Sequence, residues 1–183
     1  MKTFQSRWLL PIVAALAVTL AGCASTGTKT ADVADSIQKS IAQAGFKDVS
    51  VKQDRDKGVV TLGGHVAADA DKAQAESIAK SFAGTQVVAN EIAVVPPGDA
   101  ADAKKINSDL DKGIESNLDA ALVTANLHDA VKYSVKNHVV TLTGDVDSQA
   151  KRAMAATVAA GVLNVEQVVN NLQVKAQKAT STM

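Results

Sequence analysis

The chain has 183 residues, with 19 basic and 19 acidic side chains and no formal net charge. That balance gives no general attraction for nucleic acid or anionic lipid, and aromatics at 3% leave few platforms on which bases or sugars could stack. A single cysteine excludes an internal disulfide.

The N-terminus carries Lys2 and Arg7, then an apolar run from Trp8 to Gly22 interrupted by Pro11 and Thr19. A membrane-spanning helix needs about 20 apolar residues, and this run is shorter. A basic start, a short apolar stretch and small residues before a cut site describe a signal peptide over residues 1–22. Leu20-Ala21-Gly22-Cys23 resembles the lipobox of bacterial lipoproteins. Small Ala21 and Gly22 let a peptidase approach the backbone, and the Cys23 thiol can form a thioether to diacylglycerol. Cleavage then frees an amine that takes a further acyl chain. Cys23 is therefore the expected lipid attachment site, and residues 23–30 the tether. Ala24 and Ser25 follow it, with no Asp to resemble an inner-membrane retention signal, so the expected location is the periplasmic face of the outer membrane. A lipidated Cys23 takes away the residue on which redox, zinc-finger or cysteine-nucleophile chemistry would depend. The fold must then hold by packing alone in an oxidising compartment. Loss of Lys2 and Arg7 leaves the mature chain at a formal −2.

Val33, Ile37 and Ile41 recur every four residues and predict a helix, with Thr30 or Asp32 as its cap and Gly45 as its end. Two strands follow, Val49 to about Gln53 and Val59 to Leu62, joined over the polar loop Asp54 to Gly58. A second helix from about Asp69 to Phe82 should bury Ala75, Ile78, Ala79 and Phe82. A last strand runs from Val87 to Val95. Pro96-Pro97-Gly98-Asp99 marks a linker over residues 96–101.

The order then repeats. Ile106, Leu110, Ile114, Leu118 and Leu122 predict a longer first helix, about Asp102 to Leu122. Strands at Val131–Val135 and Val139–Thr143 flank Lys136-Asn137-His138. A helix over 148–160 should turn Met154 and Val158 inward, and Val168–Val174 is the last strand. Residues 176–183 form a polar tail, expected to be disordered. Shifted by 80 residues, the stretch 59–94 matches 139–174 at 13 of 36 ungapped positions, among them Val59-Val60-Thr61-Leu62 on Val139-Val140-Thr141-Leu142, and Gly64 on Gly144. Two copies of one module are expected, over 31–95 and 102–175. The fold class is α+β. Each copy reads αββαβ: a mixed three-stranded sheet, its hairpin antiparallel and its crossover parallel, with helices on one face. Each copy is small enough that its core is only marginally stabilising, which favours packing of one on the other.

The segments Val59-Val60-Thr61-Leu62-Gly63-Gly64-His65-Val66 and Val139-Val140-Thr141-Leu142-Thr143-Gly144-Asp145-Val146, each followed by an Ala-rich helix and a V-x-N-x-I/L-x-V strand, resemble the BON domain. The resemblance covers nearly the whole mature chain, and a lipobox before two such domains resembles the dual-BON-domain outer-membrane lipoproteins. It implies a non-catalytic protein supporting envelope integrity, with phospholipid contact on the first helix of the second domain. That helix here has no aromatic residue. Its polar face holds Lys104, Lys105, Asp109, Asp111, Lys112 and Glu115, of which Lys104, Lys105 and Lys112 are the candidate headgroup or partner contacts.

Catalytic, cofactor and metal sites are not expected. His65, His128 and His138 lack ligand spacing, and Asp145 stands where the first copy has His65. Gly63-Gly64 and Gly144 match no phosphate-loop pattern. Gly64 and Gly144 are expected instead to take a backbone conformation closed to other residues. Asp145 and Asp147, and Asp69 and Asp71 in the first copy, suit helix N-termini better than acid–base work. Lys151-Arg152 reads as part of a solvated, mixed-charge face. The longer first helix of the second copy should overhang its sheet and expose Leu118 or Leu122 as a contact. The expected partners are the membrane, through acylated Cys23, and anionic phospholipid or an envelope protein; nucleic acid is not one. The alternative function is a protein–protein interaction module for envelope assembly or osmotic stress, without lipid binding.

Overall fold

The computed structural model describes residues 29–98 and 100–175, so the expected signal peptide, Cys23 and the polar tail lie outside the described residues. The first module comprises α1 (Ala34–Gln43), β1 (Val49–Asp54), β2 (Val59–Val66), α2 (Asp69–Ala83), β3 (Val87–Asn90) and β4 (Ala93–Val94). The second comprises α3 (Ala100–Thr124), β5 (Val131–Lys136), β6 (Val139–Val146), α4 (Gln149–Ala160) and β7 (Gln167–Val174). Both are αββαβ with mixed sheets, as the repeat implied. β1 and β2 pair antiparallel and β3 runs parallel to β2, while β5, β6 and β7 repeat that arrangement. The copies differ in the length of the first helix, 10 residues in α1 against 25 in α3, and in the last strand. The last strand of the first module is interrupted at Glu91–Ile92, and its continuation β4 still pairs with β2.

Strand alternation and helical stripes build each core. Val60, Leu62 and Val66 turn to the helix side of the first sheet, where Ile37, Ile41, Ala75, Ala79, Val88 and Ile92 close over them. Val140, Leu142 and Val146 meet Ile114, Leu118, Leu122, Ala155, Ala159 and Leu172 in the second. Leu62 and Leu142 are fully buried, each gaining roughly 1.5–3 kcal/mol from leaving water. Gly64 and Gly144 hold equivalent places, with φ of +100° and +121°. A Cβ on Gly64 would overlap the Asp48 carbonyl oxygen, and one on Gly144 the Ala130 carbonyl oxygen. The shared glycine is thus required both by conformation and by close backbone approach.

Several inward assignments fail. Phe82 is 42% exposed and Met154 49% exposed. Ala83 is buried beside Ala75 and Ala79 in α2, and Ala155 and Ala159 bury their face of α4. The helices lie so close to the sheet that alanine, not the larger side chain, occupies the contact line. Leu118 and Leu122, expected at an exposed overhang, are fully buried. The C-terminal half of α3 is the half seated on the sheet, so the overhang lies at the other end, where Ile106 is 59% exposed. No side chain caps α1, whose N-cap is Val33; Thr30 instead bonds through its N–H to the Arg55 carbonyl at 3.0 Å. At α4 the cap is Ser148, accepting from the Lys151 N–H.

Candidate functional site: the seam between the modules

The helix-free faces of the two sheets are covered in part, although Ser50, Lys52, Lys132 and Ser134 on them are exposed. Val59, Ala89, Val139 and Val169 form a third buried cluster. The repeat offset carries Val59 onto Val139 and Ala89 onto Val169, so the cluster maps onto itself. The modules therefore meet across a local pseudo-two-fold, and each polar contact at the seam has a counterpart position on the other side.

On one side the counterparts are filled. Lys72 of α2 donates to Glu166 at 2.7 Å, and the His138 ring lies 3.1 Å from the other Glu166 oxygen. Gln167 gives its whole amide to the outer edge of β3: its Oε1 accepts from the Asn90 N–H at 2.9 Å, and its Nε2 donates to the Val88 carbonyl at 2.6 Å. Asn137 donates to the Glu91 carbonyl at 2.7 Å, and Lys136 pairs with Glu91 at 3.2 Å. The hairpin presenting these groups turns in two residues, Asn137 at φ +46° and His138 at φ +68°. Asp111 of α3 secures that turn by accepting both N–H groups, at 2.8 and 2.9 Å. Burial disfavours the charged form of Glu166, but hydrogen bonds from Lys72 and His138 outweigh it and hold the carboxyl below the usual glutamate range.

The other side is open. Arg152 stands where Lys72 stands, but Glu166 is replaced by Gln86, Gln167 by Val87 and Glu76 by Ala156. Gln86 is engaged elsewhere, accepting from Gln53 at 2.6 Å and donating to the Ala31 carbonyl at 3.1 Å. Arg152 donates through Nη2 to the Asn170 carbonyl at 3.3 Å, and its buried Nε has no hydrogen-bond partner among the described residues. A cleft of about 250 Å³ opens beside it, between Asp56, Lys57 and Val87 of the first module and Arg152 and Asn170–Gln173 of the second. Asn90 is 3% exposed, whereas its copy Asn170 is half-buried. Arg152 is thus not the solvated charge that its Lys151-Arg152 context suggested. Lys151 does behave that way, pairing with Asp147 at 2.9 Å. Packing of one module on the other was expected from their size, but the residues of the seam were missed because no local periodicity reports contacts between modules. The signal that could have found it is the repeat alignment itself, in which the cation is kept and two acids are lost.

The other sequence candidates are dispersed. Lys104, Lys105 and Lys112 are all exposed on α3, and Lys112 lies 3.4 Å from Asp109. His65 is exposed at the end of β2, and His128 lies 3.1 Å from Asp119. Among the described residues no group of three or more His, Cys, Asp or Glu is placed to hold a metal ion. None of the described helices is long and apolar enough to cross a membrane.

Comparison with known proteins places these features in a family. The model of the BON domain matches residues 29–96 and 110–176. Osmotically-inducible protein Y of Escherichia coli (strain K12) is 33% identical over 130 residues, covering 70% of this chain. The chain spans 62% of that relative's length. Among solved structures, two of CdsD, a structural protein of the type III secretion system of Chlamydia trachomatis, are similar at 13% identity. One has a TM-score of 0.34 and covers 82% of this chain and 67% of that one. The other, its C-terminal domain, has a TM-score of 0.32 and covers 76% and 66%.

Proposed function

The chain belongs to the BON-domain family, and on that premise we propose that it is a non-enzymatic, lipid-anchored protein of the bacterial envelope that touches phospholipid and supports outer-membrane integrity. The anchor is Cys23. The contact is the N-terminal half of α3. The observation that carries this reading is the overhang: these turns lie outside the buried stripe of Ile114, Leu118 and Leu122, and expose Ile106 together with Lys104, Lys105 and Lys112. An apolar side chain among lysines on a helix flank suits the boundary between headgroups and acyl chains. Each lysine near an anionic surface contributes about 1 kcal/mol. Asp102 and Asp109 on the same turns moderate that attraction, so the contact is weak alone and serves a protein already tethered by lipid.

Vesicle flotation with the mature chain carrying Cys23→Ser, and hence no acyl group, tests this. The protein should float with vesicles rich in anionic phospholipid and less with zwitterionic ones. Lys104→Glu, Lys105→Glu and Lys112→Glu together should abolish flotation. Equal flotation of the wild type and the triple variant overturns the contact.

A further inference from the structure

The filled side of the seam shows what the open side lacks. At Lys72 the cleft receives a carboxylate from Glu166 and, one residue on, an amide from Gln167 that bonds the edge of β3 through Asn90 and Val88. At Arg152 the same backbone is present: Val168 and Asn170 of β7 pair with Val140 and Leu142 of β6 in the register by which Val88 and Asn90 pair with Val60 and Leu62. The outward-facing groups of that edge are the Asn170 N–H and the Val168 carbonyl, and the Val87 side chain has no amide to give them. Among the described residues the buried Arg152 Nε has no acceptor, and both acids that surround Lys72 are missing from its copy.

We propose that this cleft binds an extended peptide segment carrying an acidic side chain. The carboxylate sits on the Arg152 guanidinium, in the place Glu166 holds at Lys72, and the adjoining main-chain amide adds to the edge of β7 as the Gln167 side chain does to β3. A guanidinium suits the role better than an ammonium, because its fork can donate two parallel hydrogen bonds to a carboxylate. The strand edge supplies affinity through the main chain, and Arg152 supplies selection for acid. Asp56, which lines the cleft, lies 3.6 Å from Lys29, and Lys57 lies 3.2 Å from Asp54. Among the described residues that line the cleft, Arg152 is therefore the cation left to the ligand. This site is separate from the α3 contact, and neither reading depends on the other.

The probe is the N-acetylated, C-amidated hexapeptide of residues 164–169, Asn-Val-Glu-Gln-Val-Val, titrated into the mature Cys23→Ser chain by calorimetry and amide chemical shifts. Binding should shift the Asn170 and Gln173 amides. Replacing the peptide's Glu by Gln should weaken it about tenfold, as should Arg152→Gln in the protein, with no further loss when the two are combined. Val87→Gln changes an exposed side chain and supplies the missing amide internally, so it should block the peptide with Arg152 still in place. Three results would each overturn the proposal: no shift at Asn170 at millimolar peptide, affinity indifferent to both Val87→Gln and the peptide's acid, or displacement of the peptide by inorganic phosphate or anionic vesicles that bind Arg152 more tightly.

Discussion

Lys72 and Arg152 occupy the same position in two copies of one module, yet Lys72 lies 2.7 Å from the Glu166 carboxylate while the buried Arg152 Nε has no hydrogen-bond partner among the described residues. Duplication kept the cation and divided the partners. One copy of the contact closes the seam, and the other remains able to receive something from outside.

The closed copy should respond to acid. The Glu166 carboxyl titrates below the ordinary glutamate value of 4.5 in the folded chain. A depressed carboxylate contributes stability above its unfolded value and loses it as pH falls through the folded one. Glu166→Gln should therefore lower Tm near neutral pH, and the difference from wild type should shrink as pH falls through the depressed carboxyl's range and vanish once that carboxyl is protonated. A constant difference across that range would remove Glu166 as the titrating group.

The turn that presents His138 depends on Asp111, whose two oxygens hold both turn N–H groups. Asp111→Ala should destabilise by about 1–3 kcal/mol, the cost of orphaning part-buried donors. Amide hydrogen exchange at Asn137 and His138 should accelerate more than exchange in the first module. Unchanged protection at those amides would mean that the hairpin holds its turn unaided.

Gly144→Ala should cost more than Gly161→Ala. Gly144 combines φ of +121° with a Cβ position that overlaps a carbonyl oxygen, whereas Gly161 lies at φ −82°. Denaturant unfolding should show a loss of about 1–3 kcal/mol or more at Gly144. Parity of the two variants would remove the backbone argument for the shared glycine.

Leu118→Ala and Leu122→Ala should each cost about 2–5 kcal/mol in the same assay, as core truncations do, whereas Ile106→Ala should leave stability nearly unchanged. That contrast tests which end of α3 overhangs.

Much of this architecture was legible in the sequence because it is local or repeated. The Val-Val-Thr-Leu strands, the paired glycines and the 80-residue offset fixed two αββαβ modules with mixed sheets. Side-chain facing was less legible. Phe82 and Met154 satisfy a helical stripe on paper, but close helix–sheet approach admits alanine there and turns the larger residues outward. Val139 alternates as a strand residue should, yet is buried because the second face of its sheet meets the other module. The seam depends on how two modules lie against each other, which no spacing along one module encodes.

On the proposed function, lipid on Cys23 holds the protein to a membrane and the two BON domains extend from that tether. Metabolic labelling with radioactive palmitate tests it most directly. The wild-type chain should carry label and sediment with membranes, while Cys23→Ser should carry none and stay soluble or remain an uncut precursor. Label on the Cys23→Ser chain, or none on the wild type, would contradict the account.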